Sequence, residues 1–182
     1  KQTKPRYSYR IIWVPETIGA ISYCAMNEQV MKKITTGFVV TTVGGPDQFG
    51  YKQSYNKEHP INTAIEEVFK EAGVDHVTYP FDIHGSDERQ YSSQGFRINT
   101  ASITKGKYYE YPFYHTSLDN LDFVKGEYIE KSLKLHLKIL EKLNTLELST
   151  FSLAPSIFNL EPGTYKNLYH NCEVMLSKHD LY

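Results

Sequence analysis

Cysteine and tryptophan are nearly absent: Cys24, Cys172 and Trp13 are the only examples in 182 residues. Two thiols so far apart form no disulfide framework, and free cysteines of this kind are usually buried and inert. Reduced thiols suit a cytoplasmic setting. Charge of one sign is also missing, with 20 basic against 21 acidic side chains and a formal net charge of −1. That balance argues against nucleic acid as a partner of this region. No apolar run approaches the roughly 20 residues that a membrane-spanning helix needs. No signal-peptide pattern opens the chain either, so no membrane partner is expected. The first residue is Lys1, a strand-like run begins by Tyr9, and no stop signal precedes Tyr182. A piece of a longer polypeptide is the expectation. No internal repeat is present.

Tyrosine, by contrast, is abundant: 15 residues against 9 Phe. Several crowd into Lys107-Tyr108-Tyr109-Glu110-Tyr111-Pro112-Phe113-Tyr114. Aromatic rings with a polar tip suit a pocket wall or an interface, which is compatible with a homo-oligomer.

Residues 9–14 form a short apolar run ended by Pro15, the pattern of a buried strand. Residues 16–27 read as a helix with Ile18, Ile21 and Ala25 on one side. Residues 34–43 are a β-branched and aromatic strand closed by Gly44-Gly45-Pro46. A polar loop follows over 46–58. Residues 60–73 carry Ile61, Ile65, Val68, Phe69 and Ala72 at helical spacing, with Gly73 suited to end the helix. Strands are expected at 74–81 and 96–103, a helical turn or two at 87–94, and a tyrosine-rich loop at 104–117. Residues 127–144 form a long helix with Ile129, Leu133, Leu137, Leu140 and Asn144 as the packing stripe and His136 on its flank. From Thr145 the chain reads as a loop, with Pro155, Pro162 and Gly163. Strands alternating with helices predict an α/β fold: a largely parallel twisted sheet flanked by helices. In such sheets ligands bind beyond the carboxyl ends of the strands.

Three polar clusters fall beside apolar runs. These are Pro15-Glu16-Thr17-Ile18-Gly19, Gly85-Ser86-Asp87-Glu88-Arg89-Gln90-Tyr91 and Tyr114-His115-Thr116-Ser117-Leu118-Asp119-Asn120. Titratable groups gathered this way are where chemistry usually sits. Arg89 suits a bidentate clamp on a substrate carboxylate, Tyr91 a donor to an oxyanion, and Glu88 a further substrate contact. A local ion-pair network capping a turn is the alternative for Asp87, Glu88 and Arg89. For Glu16 it is a solvated carboxylate opening a helix, and for His115 a loop histidine bonded to backbone. His84, three residues before Asp87, could present a metal ligand beside it.

Together the three clusters resemble the aminopeptidase-like domain of a bacterial family of the DUF4910 type, related to the zinc aminopeptidases of the M28 class. Some of its members are linked to surface-polysaccharide loci. The resemblance implies a zinc-peptidase-like α/β domain, incomplete in this chain. Residues 1–146 would be its C-terminal part, and 147–182 an extended tail. The stretch from Tyr165-Lys166-Asn167-Leu168 to Leu176-Ser177-Lys178 resembles the approach to a further C-terminal segment. Two zinc ions serve the related peptidases, and their early His and bridging Asp would lie before Lys1.

By resemblance, Glu16 is the general base, and Thr17 stands where the family has a ligand Glu. The other alignment makes Glu16 the ligand and leaves Pro15 in place of the base. His115 resembles the late zinc-ligand His, with Asp119 as its partner. Asp47 is the nearest candidate for the Asp ligand after the middle strand. Asp87 resembles a catalytic Asp that hydrogen-bonds reacting groups, with Glu88 where relatives often have His. The activity implied is hydrolysis of an amide in a peptide or small substrate with a free amino group. Two alternatives stay open: a degenerate binding module of polysaccharide assembly, and single-zinc acyl transfer of the glutaminyl-cyclase kind.

Overall fold

A computed structural model describes residues 5–82 and 84–146, together with the strand backbone of 170–177. The strands are β1 (Ser8–Pro15), β2 (Ile34–Val40), β3 (Phe49–Lys52), β4 (His76–Tyr79), β5 (Asn99–Lys105) and β6 (His170–Ser177). The helices are α1 (Ile18–Met26), α2 (Glu28–Met31), α3 (Pro60–Glu71), α4 (Glu88–Tyr91) and α5 (Gly126–Thr145). All six strands form one sheet in the order β1-β6-β2-β5-β3-β4. The α/β architecture is the expected one. Its ladders are mixed: β2 with β5 and β3 with β4 are parallel, while β1 with β6, β6 with β2 and β3 with β5 are antiparallel. Because β6 opposes both β1 and β2, those two strands and β5 run in one direction.

Two cores cover the sheet. The first gathers Phe38, Tyr51, Ile65, Phe69, Ile103, Ile139 and Leu143 under α3 and α5. The second gathers Ile12, Ala20, Cys24, Met31, Tyr91 and Ile98 under α1, α2 and α4. Strand alternation lets β1 send Ile12 to one core and Tyr9 to the other. Cys24 is one of the two thiols and is buried.

Two strands fall where loops are expected. Phe49–Lys52 is too short and too mixed to show a period, yet all four residues are buried, because β5 and β4 pair with it on either side. His170–Ser177 lies in the stretch read as a loop-like tail, and it inserts between β1 and β2. The Pro155, Pro162 and Gly163 breaks and the 165–168 resemblance lie outside the described residues.

The packing stripe of α5 also differs from expectation. Leu135, His136, Ile139 and Leu143 are buried, whereas Ile129, Leu133 and Leu137 are about half exposed, at 46%, 55% and 49%. Both stripes have helical spacing, so periodicity alone cannot choose between them. Tertiary anchors set the rotation. Ser132 Oγ donates to Val43 O at 3.0 Å, and Lys142 reaches Glu67 and Glu71 of α3 at 2.6 and 3.2 Å.

His59 caps α3. Its Nδ1 accepts the Ile61 N–H at 3.3 Å, and Pro60 follows at the first helical position. The acceptor role requires a neutral ring, and burial lowers its pKa from 6.5 to about 4. His136 shifts in the same direction, again through burial first.

Two outcomes follow from this packing. In urea unfolding, Ile139→Ala is expected to cost about 2–5 kcal/mol and Leu133→Ala under about 1 kcal/mol; equal losses would refute the observed rotation of α5. Above pH 6.5, His59 is neutral both folded and unfolded, and its contribution is complete. As pH falls from 6.5 to about 4, only the unfolded chain takes up the proton, so stability drops. Unfolding measured at pH 7.5 and 4.5 should show that loss, and His59→Asn, which keeps an acceptor at the cap, should reduce it.

Candidate active site at the carboxyl ends of three strands

β1, β2 and β5 run the same way, so the segments that follow them meet at one edge of the sheet. Glu16 follows β1, Thr41, Thr42, Gly44 and Gly45 follow β2, and Tyr108 follows β5. Together with Ser86, Tyr111, Tyr114, His115 and Asp119 they line a cleft of about 500 Å³.

The chain leaves β1 through a strained turn. Thr17 has φ 63° and ψ −72°, and the Ile18 N–H donates to Glu16 O at 2.8 Å. This is the γ-turn with a positive central φ, rare for a residue with a Cβ and costly for a β-branched one. The Thr17 N–H donates to Asp87 Oδ1 at 2.7 Å. α1 begins hard against the end of β1: a Cβ on Gly19 would lie 2.7 Å from Pro15 Cδ and 2.8 Å from Val14 Cβ. Only glycine permits that approach.

Asp87 is fully buried at the start of α4. That short helix is clamped from three sides. Tyr91 is buried in the second core, and Ser92 Oγ donates to Ile98 O at 2.9 Å. Glu88, also fully buried, accepts from Lys52 Nζ at 3.0 Å and from Ser102 Oγ at 2.8 Å. Lys52 further donates to Asp82 Oδ1 at 2.8 Å and to the His84 carbonyl. The Asp82 carboxyl is lowered below its ordinary pKa, chiefly by that hydrogen bond.

The tyrosine-rich segment seats on Gly44-Gly45. A Cβ on Gly45 would come within 2.7 Å of Phe123 Cζ, and one on Gly44 within 2.5 Å of Val124 Cγ1. Lys125 N–H bonds Gly44 O at 3.0 Å. Phe123 stacks on Tyr111 with centroids 5.5 Å apart, and Tyr114 stacks on His115 at 3.7 Å. His115 itself has φ 59°. Tyr111 Oη donates to Asp119 Oδ2 at 2.9 Å. Burial pushes the Tyr108 and Tyr111 phenols up, with nearby acids adding to it: Glu88, Asp82 and Glu16 around Tyr108, and Asp119 through its hydrogen bond to Tyr111. Both phenols therefore keep their O–H, and the cleft combines neutral donors with two carboxylates.

Of the residues singled out in the sequence, Glu16, His115 and Asp119 share this cleft. Asp87 lies beneath it, bonded to the Thr17 turn. Glu88 and Tyr91 are buried, Arg89 is partly buried on the same helix, and none of the three is among the residues lining the cleft. His84 contributes its backbone carbonyl to Lys52. Asp47 opens into a neighbouring groove of about 220 Å³ with Tyr79, Lys107 and Glu110. Tyr111 lines both spaces. Asp47 and His115, expected as fellow metal ligands, line different ones. Among the described residues no three His, Cys, Asp or Glu side chains gather closely enough to hold a metal ion. The donors described here do not by themselves fit a zinc site. Lys52 carried no motif in the sequence; Tyr108 and Tyr111 were signalled only by the local density of tyrosine.

Residues 1–146 match the family described as Domain of unknown function (DUF4910), and the chain belongs to that family. A Clostridium acetobutylicum protein named "Putative polysaccharide biosynthesis protein with aminopeptidase-like domain" is 33% identical over 180 residues, covering 98% of this chain and 37% of that protein. The chain therefore spans little more than a third of its curated relative. A crystal structure of a "putative peptidase" from the same organism superimposes with a TM-score of 0.67 at 32% identity, over 71% of this chain and 30% of that one. The domain is accordingly peptidase-like in fold and sequence. No helix among the described residues is long and apolar enough to cross a membrane.

Lys52 keeps Asp82 if Glu88 is removed, but removing Lys52 leaves the fully buried Glu88 carboxylate without its cation. Lys52→Ala should lower unfolding stability by about 3–5 kcal/mol. Replacing both residues with Met and Leu should recover most of that loss in the same denaturation assay, and no recovery would show that the pair itself is not the cause.

Proposed function

We propose that the chain belongs to an aminopeptidase-like hydrolase that acts on an amide in a peptide or small molecule bearing a free amino group. The observation that carries this reading is the convergence of Glu16, Ser86 and His115, from three separate segments, on one tyrosine-walled cleft. In it Glu16 accepts the proton of the attacking water and passes it to the departing amine. Tyr108 supplies a neutral O–H donor to the cleft, while the Tyr111 O–H is held by Asp119. The carboxylates and tyrosine faces together favour an ammonium group. The relationship to proteins named as peptidases supports the class of reaction. Zinc belongs to this proposal only for the intact protein, where ligands beyond the described residues would have to join His115.

A second reading rests on Thr17. A hydroxyl stands where the family resemblance calls for a ligand carboxylate, and a threonine is a poor zinc donor. On that reading the cleft binds, without hydrolysing, an amino-group-bearing ligand in polysaccharide assembly.

The test uses the intact protein with a panel of aminoacyl anilides and amino-terminal glutamine peptides. Hydrolysis should fall by about 10²-fold or more in Glu16→Gln, and elemental analysis should show zinc that decreases in His115→Ala. Cyclised product from the glutamine peptides would replace hydrolysis by acyl transfer. Substrate binding without turnover, and without zinc, would establish the binding module.

A further inference from the structure

By resemblance Asp87 would hydrogen-bond reacting groups; in the structure one of its oxygens meets the backbone beside Glu16. The Asp87 carboxylate is fully buried, and Oδ1 accepts the backbone N–H of Thr17 at 2.7 Å. Seventy residues of sequence separate donor and acceptor. The Thr17 N–H lies in a segment where the backbone has little reason to stay. A β-branched residue at φ 63°, ψ −72° is outside the wells such residues prefer, and conformations of this kind cost about 1–3 kcal/mol unless the surroundings over-determine them. Three fixed points surround it. The Ile18 N–H closes the turn on Glu16 O at 2.8 Å. Gly19 admits α1 directly onto Val14 and Pro15. Asp87 holds the peptide between Glu16 and Thr17 from below. The donor is the amide immediately after Glu16, so the orientation of that peptide plane determines where the Glu16 side chain leaves the backbone.

α4 makes Asp87 a rigid anchor. Glu88 is tied to β3 through Lys52 and to β5 through Ser102. Tyr91 is locked in the second core beside Ile12 of β1. The Ser-Asp-Glu-Arg-Gln-Tyr run thus connects the far strands of the sheet to the turn carrying Glu16.

We infer that Asp87 is a positioning residue: it holds the strained Glu16-Thr17 turn so that the Glu16 carboxylate stays in the cleft, and it does not contact substrate. The inference rests on the proposed role of Glu16 for its consequence in activity, but not for its geometry. The experiment therefore has two arms. In the intact protein, amide exchange at Thr17 is followed by NMR or mass spectrometry in the parent, Asp87→Ala and Asp87→Asn. Asparagine keeps an Oδ1 acceptor. Protection at Thr17 should fall at least tenfold in Asp87→Ala and return toward the parent in Asp87→Asn. In the activity arm, Asp87→Ala should reduce kcat by about 10²-fold, the scale of a 1 Å misplacement, with KM nearly unchanged; Asp87→Asn should restore most of it.

Unchanged Thr17 protection in a folded Asp87→Ala protein overturns the inference. So does Asp87→Ala activity equal to the parent while Glu16→Gln is inactive. If Asp87→Ala does not fold, loss of protection in Asp87→Asn alone, with folding intact, counts against it, because that variant retains the acceptor. If Glu16→Gln is as active as the parent, the hydrolase role of Glu16 fails, and the exchange arm alone decides whether Asp87 holds the turn.

Discussion

The buried Lys52–Glu88 ion pair is the joint on which the site depends. It brings together a short strand, the connection between β4 and α4, a one-turn helix and a central strand, through Lys52, Asp82, the His84 carbonyl, Glu88 and Ser102. Taking two charges out of water is expensive, and attraction offsets that only when the remaining lone pairs and protons are satisfied. Here Glu88 has a second donor and Lys52 has several acceptors, so the pair is well compensated. A four-residue helix has little stability of its own. Fixed by this pair and by Tyr91, α4 becomes rigid enough to present Asp87 to another part of the chain.

Backbone strain is concentrated around the cleft. Thr17, Thr42 and His115 have positive φ without being glycine, and all three belong to segments that border the same space. Strain of this kind persists where the neighbouring structure leaves no alternative. The neighbours are identifiable: Asp87 for Thr17, the Gly106 carbonyl bonded by Thr42 Oγ1 at 3.0 Å, and the Tyr114 ring stacked on His115. The cleft is therefore built from strained turns held by part-buried hydrogen bonds and a ring contact.

Much of this was legible along the chain, and the reasons for the exceptions are physical. α3 and β1 appeared with nearly their observed bounds, because a capped amphipathic helix and a Pro-terminated apolar strand carry strong local patterns. Glu16, Gly44-Gly45 and His115 line one cleft because the segments after β1, β2 and β5 leave the sheet on the same side. β3 was missed because four residues give no period, and its burial comes from neighbours remote in sequence. Of the expected α5 stripe, Leu140 packs against the core whereas Leu133 and Leu137 are half exposed, because neighbouring apolar faces share one helical spacing and tertiary packing chooses between them. Asp47 was assigned by its distance in sequence from a glycine pair, and it lines the groove beside the cleft rather than the cleft that holds His115.

The amino-acid sequence by itself determined the family, the α/β class, the positions of most helices and strands, and which three short segments meet at the cleft. These follow from local periodicity, turn chemistry and the direction of strands. Only the tertiary structure decided what each residue of those segments does. Glu16 and His115 reach the cleft, whereas Asp87, Glu88 and Tyr91 turn inward to hold it. The reason is that burial and hydrogen-bond partners are properties of the packed sheet: an acid that reads as catalytic in a motif becomes an anchor once its oxygen meets a backbone N–H from a turn seventy residues away.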